Sequence, residues 1–147
     1  MPRPRIPSAT AFRDLPPERI LSRVSWVTEA LRRHEAVLDA SERHRRRRVR
    51  ATIDDYLAFY ANAVHLMQDE GFTTREILPA GAPVTADTTV RAGDLTPDGL
   101  RFYYYGIRAW INRLDRARDK ARAANDLRPV RRALRRFRAH LAAERAE

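Results

Sequence analysis

The sequence predicts a mostly α-helical chain, an irregular four-helix bundle with a small β-hairpin-like insertion between its second and third helices. Three observations carry this. No glycine or proline occurs from Glu18 to Glu70, and apolar residues recur there at the three-and-four spacing of a helical face. Residues 73–95 are broken by Pro79, Gly81, Pro83 and Gly93, punctuation that halts helices and bounds short strands. Residues 95–100 then carry the start signals of a new helix. The expected organisation is a basic flexible tail at 1–13 and one helical domain at 14–147, made of a helical hairpin at 17–70, the insertion at 73–95 and a second hairpin at 97–143.

The tail contains Pro2, Pro4, Pro7 and no acid, so it is read as extended, mobile and dispensable for folding. The first helix is expected from Glu18, with Asp14 as cap, Pro16 and Pro17 in the first turn, and Ile20, Val24, Val27, Leu31 and Leu38 as its apolar stripe. The second carries Val49, Ile53, Tyr56, Tyr60, Val64 and Met67, and ends at Gly71 in a left-handed cap with Phe72 folding back on Met67. The phase of the stripe runs unbroken from Leu38 to Val49, so length decides between one helix and two. A single helix over 18–70 would reach ~80 Å, against a radius of gyration of ~15 Å for a compact chain of this size. A break at about 39–44 is therefore expected; the alternative is a long helix projecting into a dimer.

Within the insertion, Arg75–Leu78 and Thr88–Ala92 are the two candidate strands. The segment serves either as a recognition edge or, the favoured reading, as a cover over the bundle core. Thr96 as cap, Pro97 in the first helical position, Asp98 near the positive end of the dipole and a Leu95–Leu100 staple then open the third helix. Its apolar side is Leu100, Tyr103, Tyr104, Ile107, Trp110, Ile111 and Leu114, and Gly106 inside it points to a close crossing with another helix. Asn125 and Asp126 end it and cap a last helix built on Val130, Leu134, Phe137 and Leu141.

The 147 residues hold 29 cations against 19 acids, and all the cations but Lys120 are Arg. The excess lies at the two ends of the chain, and two runs contain no acid: Arg43, Arg45, Arg46, Arg47, Arg48 and Arg50, and Arg128, Arg131, Arg132, Arg135, Arg136 and Arg138. These are the candidate partner-binding residues. Such density attracts phosphate, nucleic acid or an acidic protein, although a solvated face in an Arg-rich composition reads the same way.

Other chemistries find little support. Without cysteine, disulfides and cysteine-ligated metals are excluded. His34, His44, His65 and His140 include no i, i+4 pair, and no phosphate loop or nucleophile elbow occurs. No catalytic residue, metal or cofactor is assigned. No apolar run approaches the ~18 residues of a membrane span and no secretory leader opens the chain, so a cytoplasmic protein without membrane contact is expected.

The block Asp94-Leu95-Thr96-Pro97-Asp98-Gly99-Leu100, followed by Trp110-Ile111-Asn112-Arg113-Leu114-Asp115-Arg116, resembles small, mostly helical bacterial proteins of immunity or uncharacterised type. The resemblance covers about residues 73–116 and supplies no site residues. It implies a protein that neutralises a toxin by binding it. The expected function is therefore non-enzymatic binding of an acidic protein partner, as an immunity or antitoxin-like inhibitor. The alternative is a nucleic-acid-binding accessory or regulatory protein whose Arg-rich helices contact phosphates. Protein recognition would need Arg interleaved with exposed apolar anchors such as Trp26.

Overall fold

The computed structural model describes residues 5–37 and 43–147, with side chains placed for 5–33 and 52–147. Its elements are β1 (Ile20–Arg23), α1 (Val24–Val37), α2 (Arg43–Asp69), β2 (Thr89–Arg91), a 3₁₀ turn (Ala92–Asp94), α3 (Pro97–Phe102), a π-helical turn (Tyr103–Ile107), α4 (Arg108–Arg116), α5 (Lys120–Asn125) and α6 (Arg128–Ala146). The fold is mostly α with one small antiparallel sheet, as the sequence predicts. Among the described residues no helix is long and apolar enough to cross a membrane. The expected break between the first two helices falls largely on residues 38–42, outside the described residues; α1 and α2 themselves pack together.

The candidate strand at 88–92 supplies β2, but its partner is not the neighbouring 75–78 segment. Residues 20–23, expected inside the first helix, form β1 and pair with β2 in the register Ile20↔Arg91, Ser22↔Val90, Arg23↔Thr89. The backbone carbonyls of Pro17 and Arg19 accept the amides of Gly93 and Ala92 at 2.8 and 2.9 Å, which holds the approach to β1 extended. A Cβ on Gly93 would sit 3.0 Å from Pro17. Helix α1 consequently starts at Val24, and Asp14 lies in a turn rather than at a helix cap. Residues 75–78 are held by side chains instead: Gln68 Oε1 accepts the amides of Ile77 and Leu78 at 2.7 and 2.8 Å, and its Nε2 donates to the Leu78 carbonyl. Leu78 and Val90 are buried, so the insertion packs as a cover on the core.

The end of α2 follows its expected chemistry. Gly71 has φ 75°, its amide donates to the Gln68 carbonyl at 3.1 Å and the Phe72 amide to that of Met67 at 2.9 Å, the two bonds of a Schellman ending. Thr96 Oγ1 accepts the Gly99 amide at 3.0 Å and so caps α3. Gly99 is required for another reason: a Cβ there would lie 2.1 Å from the Phe72 carbonyl oxygen.

The third helix departs from expectation in two ways. It passes through a π turn at Tyr103–Ile107, and it stops at Arg116 rather than near residue 125. Asp119 then caps the short α5 by accepting the Arg122 amide at 3.0 Å. The Lys120 ammonium donates to the carbonyls of Leu114 and Asp115, both at 3.1 Å, satisfying the free end of α4. The neighbour that demands Gly106 is also different from the crossing helix expected: a Cβ would fall 2.3 Å from the ring of Phe102, one turn earlier in the same helix.

Trp110, Phe102, Phe137, Leu114 and Val130 form the deepest part of the core. Phe102 lies between Phe72 and Phe137, with ring centroids 5.2 and 5.3 Å away, while Trp110 meets the edge of Phe59 at 4.7 Å. The Trp110 indole donates to the Ala123 carbonyl and Asn62 Nδ2 to that of Ala124, so α5 is tied to both α4 and α2. The N-terminal segment, expected to stand free, packs on this body from Ile6 onward. Ile6, Phe12 and Leu15 touch the core, and Phe12 stacks on Tyr104 at 4.6 Å.

Candidate functional site

Helix α6 buries Val130, Leu134, Phe137 and Leu141, at spacings of four, three and four that confine the apolar contact to one face. The remaining arc carries the second Arg run, and the structure divides that run into two groups. Arg128 is engaged by Asp126, with Nε–Oδ1 at 2.9 Å and Nη2–Oδ2 at 3.0 Å. Asp126 also accepts the Arg128 amide at 3.2 Å, so one carboxylate offsets a cation in the first turn of α6, where the helix dipole opposes it. The guanidinium and amide of Arg128 hold the Asp126 carboxyl down at about 2. Arg138 reaches the Glu70 carboxylate at 2.5 Å and sits 5.9 Å from the Phe72 ring centre. Both residues are exposed, but their charge is already matched.

Arg131, Arg132, Arg135 and Arg136 form the second group. All four are exposed, and among the described residues none of their guanidiniums has an ion pair or hydrogen bond. Arg131 with Arg135, and Arg132 with Arg136, are i, i+4 neighbours of like charge, an arrangement that costs stability. The quartet occupies only ~7.5 Å of helix axis. Arg113 and Arg118, exposed on α4 and on its connection to α5, also lack an ion pair among the described residues, whereas Arg122 on α5 faces Asp126 and helps to hold that carboxyl down. The signal available in the sequence was that neither residue four positions from Arg118, Leu114 or Arg122, is an acid. The other predicted run, Arg43, Arg45, Arg46, Arg47, Arg48 and Arg50, forms the first turns of α2, and its side chains fall outside the described residues.

Arg101 shows what an Arg committed to the fold looks like here. It is 4% exposed, it grips Glu144 through Nη1 and Nη2 at 3.0 and 2.7 Å, and its Nε donates to the Pro7 carbonyl at 2.9 Å. Arg145 pairs with Asp98 at 2.8 Å. Charge near the C-terminal half of α6 is thus absorbed internally, whereas the quartet one to two turns inside its N-terminus is not.

Trp26 on α1 is 48% exposed, the one large hydrophobic side chain left out among the described residues. The Arg23 guanidinium lies 6.0 Å from its ring centre and is itself anchored by Nε donating to Thr89 Oγ1 at 3.0 Å. Among the described residues no three His, Asp or Glu side chains gather as a metal site.

Fold and site together describe a small mostly-α protein with an unpaired arginine face and a separate exposed Arg–Trp pair. No family model, curated protein or solved structure matches the chain.

Proposed function

We propose that the protein is a non-enzymatic binder of a protein partner with an acidic surface, acting as an immunity or antitoxin-like inhibitor, with the outer face of α6 steering association. The observation that carries this reading is the unpaired state of Arg131, Arg132, Arg135 and Arg136. Four adjacent guanidiniums without counter-ions repel one another in the free protein, and each keeps its planar donor fork available for bidentate pairing with a carboxylate. Arg23 and Trp26 supply the kind of anchor that dominates interface energies. An exposed aromatic beside a fixed guanidinium is of more use against a protein surface than against a phosphate backbone, and this places nucleic acid second.

The test is co-expression with the product of the neighbouring gene and co-purification after nuclease treatment, for the native chain and for the variant carrying Arg→Glu at 131, 132, 135 and 136. Retention by the native chain and its loss in the variant are expected. In parallel, anisotropy with mixed-sequence DNA and RNA is read at roughly 50 and 200 mM salt. Tight binding that falls ~10³-fold over that range would report a footprint of several phosphates and replace the protein-partner reading with the nucleic-acid one.

A further inference from the structure

A cavity of about 290 Å³ opens between β1 with α1 on one side, α2 beneath, and the π turn with α4 on the other. Its walls are largely apolar, with Val24, Leu57, Val64, Met67, Ile107 and Ile111 prominent among them. Four of the hydroxyls that line it, those of Ser22, Tyr56, Tyr60 and Tyr103, are turned onto the protein. Tyr60 and Ser22 share a hydrogen bond at 3.0 Å, Tyr103 donates to the Leu21 carbonyl at 3.4 Å, and Tyr56 donates to Asp115. The interior therefore presents mostly hydrocarbon, with these four hydroxyls already engaged.

One charged side chain belongs to the described lining, Arg108. It is exposed, at the first position of α4, and its guanidinium lies 5.9 Å from the Tyr104 ring centre. Among the described residues the guanidinium has no ion pair or hydrogen bond. Asp115, two turns further along α4, is occupied by the Tyr56 hydroxyl. The lining is thus apolar within and cationic at one exposed point.

The π turn builds this geometry. The wide turn inserts one residue into the helical phase, so that Phe102 and Tyr105 face the core while Tyr103 and Tyr104 line the cavity and Arg108 reaches its edge. Such turns cost helix regularity and recur at functional sites. An apolar cleft of this size also forfeits packing contacts, and a concave surface lined by hydrocarbon is a receptor for apolar molecules.

We propose that the cavity binds a small monocarboxylate with an apolar body, of the medium-chain fatty acid type, its tail among Leu57, Val64 and Ile111 and its carboxylate on Arg108. At ~30 Å³ per non-hydrogen atom the space holds ~10 of them, which matches a chain of eight to ten carbons. The site is independent of the α6 face, so either assignment can fail without the other.

The experiment is calorimetric titration of the full chain with decanoate, kept below its micelle range, and with decanol as the uncharged comparator. Saturable one-to-one binding of decanoate is expected, with decanol and the Arg108→Gln variant each weaker by about tenfold or more. Ala63→Leu, which fills the cavity from α2, and Val27→Phe, which fills it from α1, are expected to abolish binding while each variant keeps a cooperative unfolding transition. The variant with Arg→Glu at 131, 132, 135 and 136 is expected to bind decanoate as the native chain does. The assignment is overturned by an absence of saturable binding to the native chain. It is equally overturned by undiminished binding to Arg108→Gln or to a folded cavity-filling variant, or by loss of binding in the α6 variant, which would place the fatty acid on the arginine face.

Discussion

Asp94 shows how much a single side chain organises here. Its carboxylate accepts Nε and Nη2 of Arg75 at 2.7 and 3.2 Å and the Arg91 amide at 2.8 Å, so it joins both ends of the insertion that covers the core. Burial by itself would push its pKa up, but the Arg75 guanidinium and the Arg91 amide outweigh that and hold it below the usual 3.8. A carboxyl depressed in the folded state contributes stability that is complete above the unfolded value and lost as pH falls through the folded one. Asp94→Asn is expected to cost about 2 kcal/mol at neutral pH, and urea unfolding of both proteins is expected to converge as pH drops below 3.8. A constant gap down to strongly acidic pH would show that Asp94 acts through packing and not through its charge. None of this was legible in the sequence, where Asp94 reads only as a polar residue before a helix cap. Thr96 and Gly71 were legible, because a cap and a left-handed turn depend on residues within four positions of each other.

At the level of the element, the helix from Pro97 to Arg116 was foreseen in its start and in the burial of Leu100, Ile107, Trp110 and Leu114, but not in the burial of Phe102 and Tyr105 in place of Tyr103 and Tyr104. The large apolar side chains buried along it are Leu100, Phe102, Tyr105, Ile107, Trp110 and Leu114. From Phe102 to Ile107 is five residues, the span of the π turn, and beyond it the ordinary three-and-four spacing resumes. Three consecutive tyrosines suit either phase, so periodicity could not reveal the shift. Gly106 is the residue that permits it, because the Phe102 ring fills the space where its Cβ would be, 2.3 Å away. Gly→Ala within a helix ordinarily gains up to ~1 kcal/mol. At Gly106 the clash reverses the sign, and Gly106→Ala is expected to destabilise by about 2 kcal/mol, read as a lower denaturant midpoint. Combining it with Phe102→Leu is expected to cost clearly less than the sum of the two single changes, since the smaller side chain vacates the site. Simple additivity would remove the ring contact as the cause. For the arginine face, sequence spacing identified α6 correctly but could not distinguish Arg128 and Arg138, whose acids lie on the flanking loop and in the turn that follows α2, from the four between them.

Across the whole molecule, what escaped the sequence was long-range pairing. A spacing of four, as from Ile20 to Val24, fits one face of a strand as well as one face of a helix, so β1 could not be distinguished from a first helical turn until β2 was found beside it, some seventy residues later in the chain. The same holds for the N-terminal segment. Three prolines and an absence of acids made it look expendable, yet its contacts reach the far end of the chain: the Pro7 carbonyl accepts Nε of Arg101, whose other nitrogens hold Glu144 near the end of α6. Arg101 also lies 6.0 Å from the Phe137 ring centre, so segment, π-turn helix and α6 converge on one buried guanidinium. Truncation after Arg13 removes the Pro7 acceptor and the Phe12–Tyr104 stack together. Water entering beside Arg101 replaces part of the lost hydrogen bonding, and the stack is worth ~1 kcal/mol beyond its buried area, so a net loss of about 2 kcal/mol is expected. For a chain of this size that lowers Tm by about 6 °C, measurable by calorimetry on the truncated protein. Phe12→Ala is expected to reproduce roughly half of the shift, because it removes the ring while leaving Pro7 on Arg101. An unchanged Tm after truncation would restore the reading of a dispensable tail and leave the body of the fold, from β1 to α6, as the whole of the stable unit.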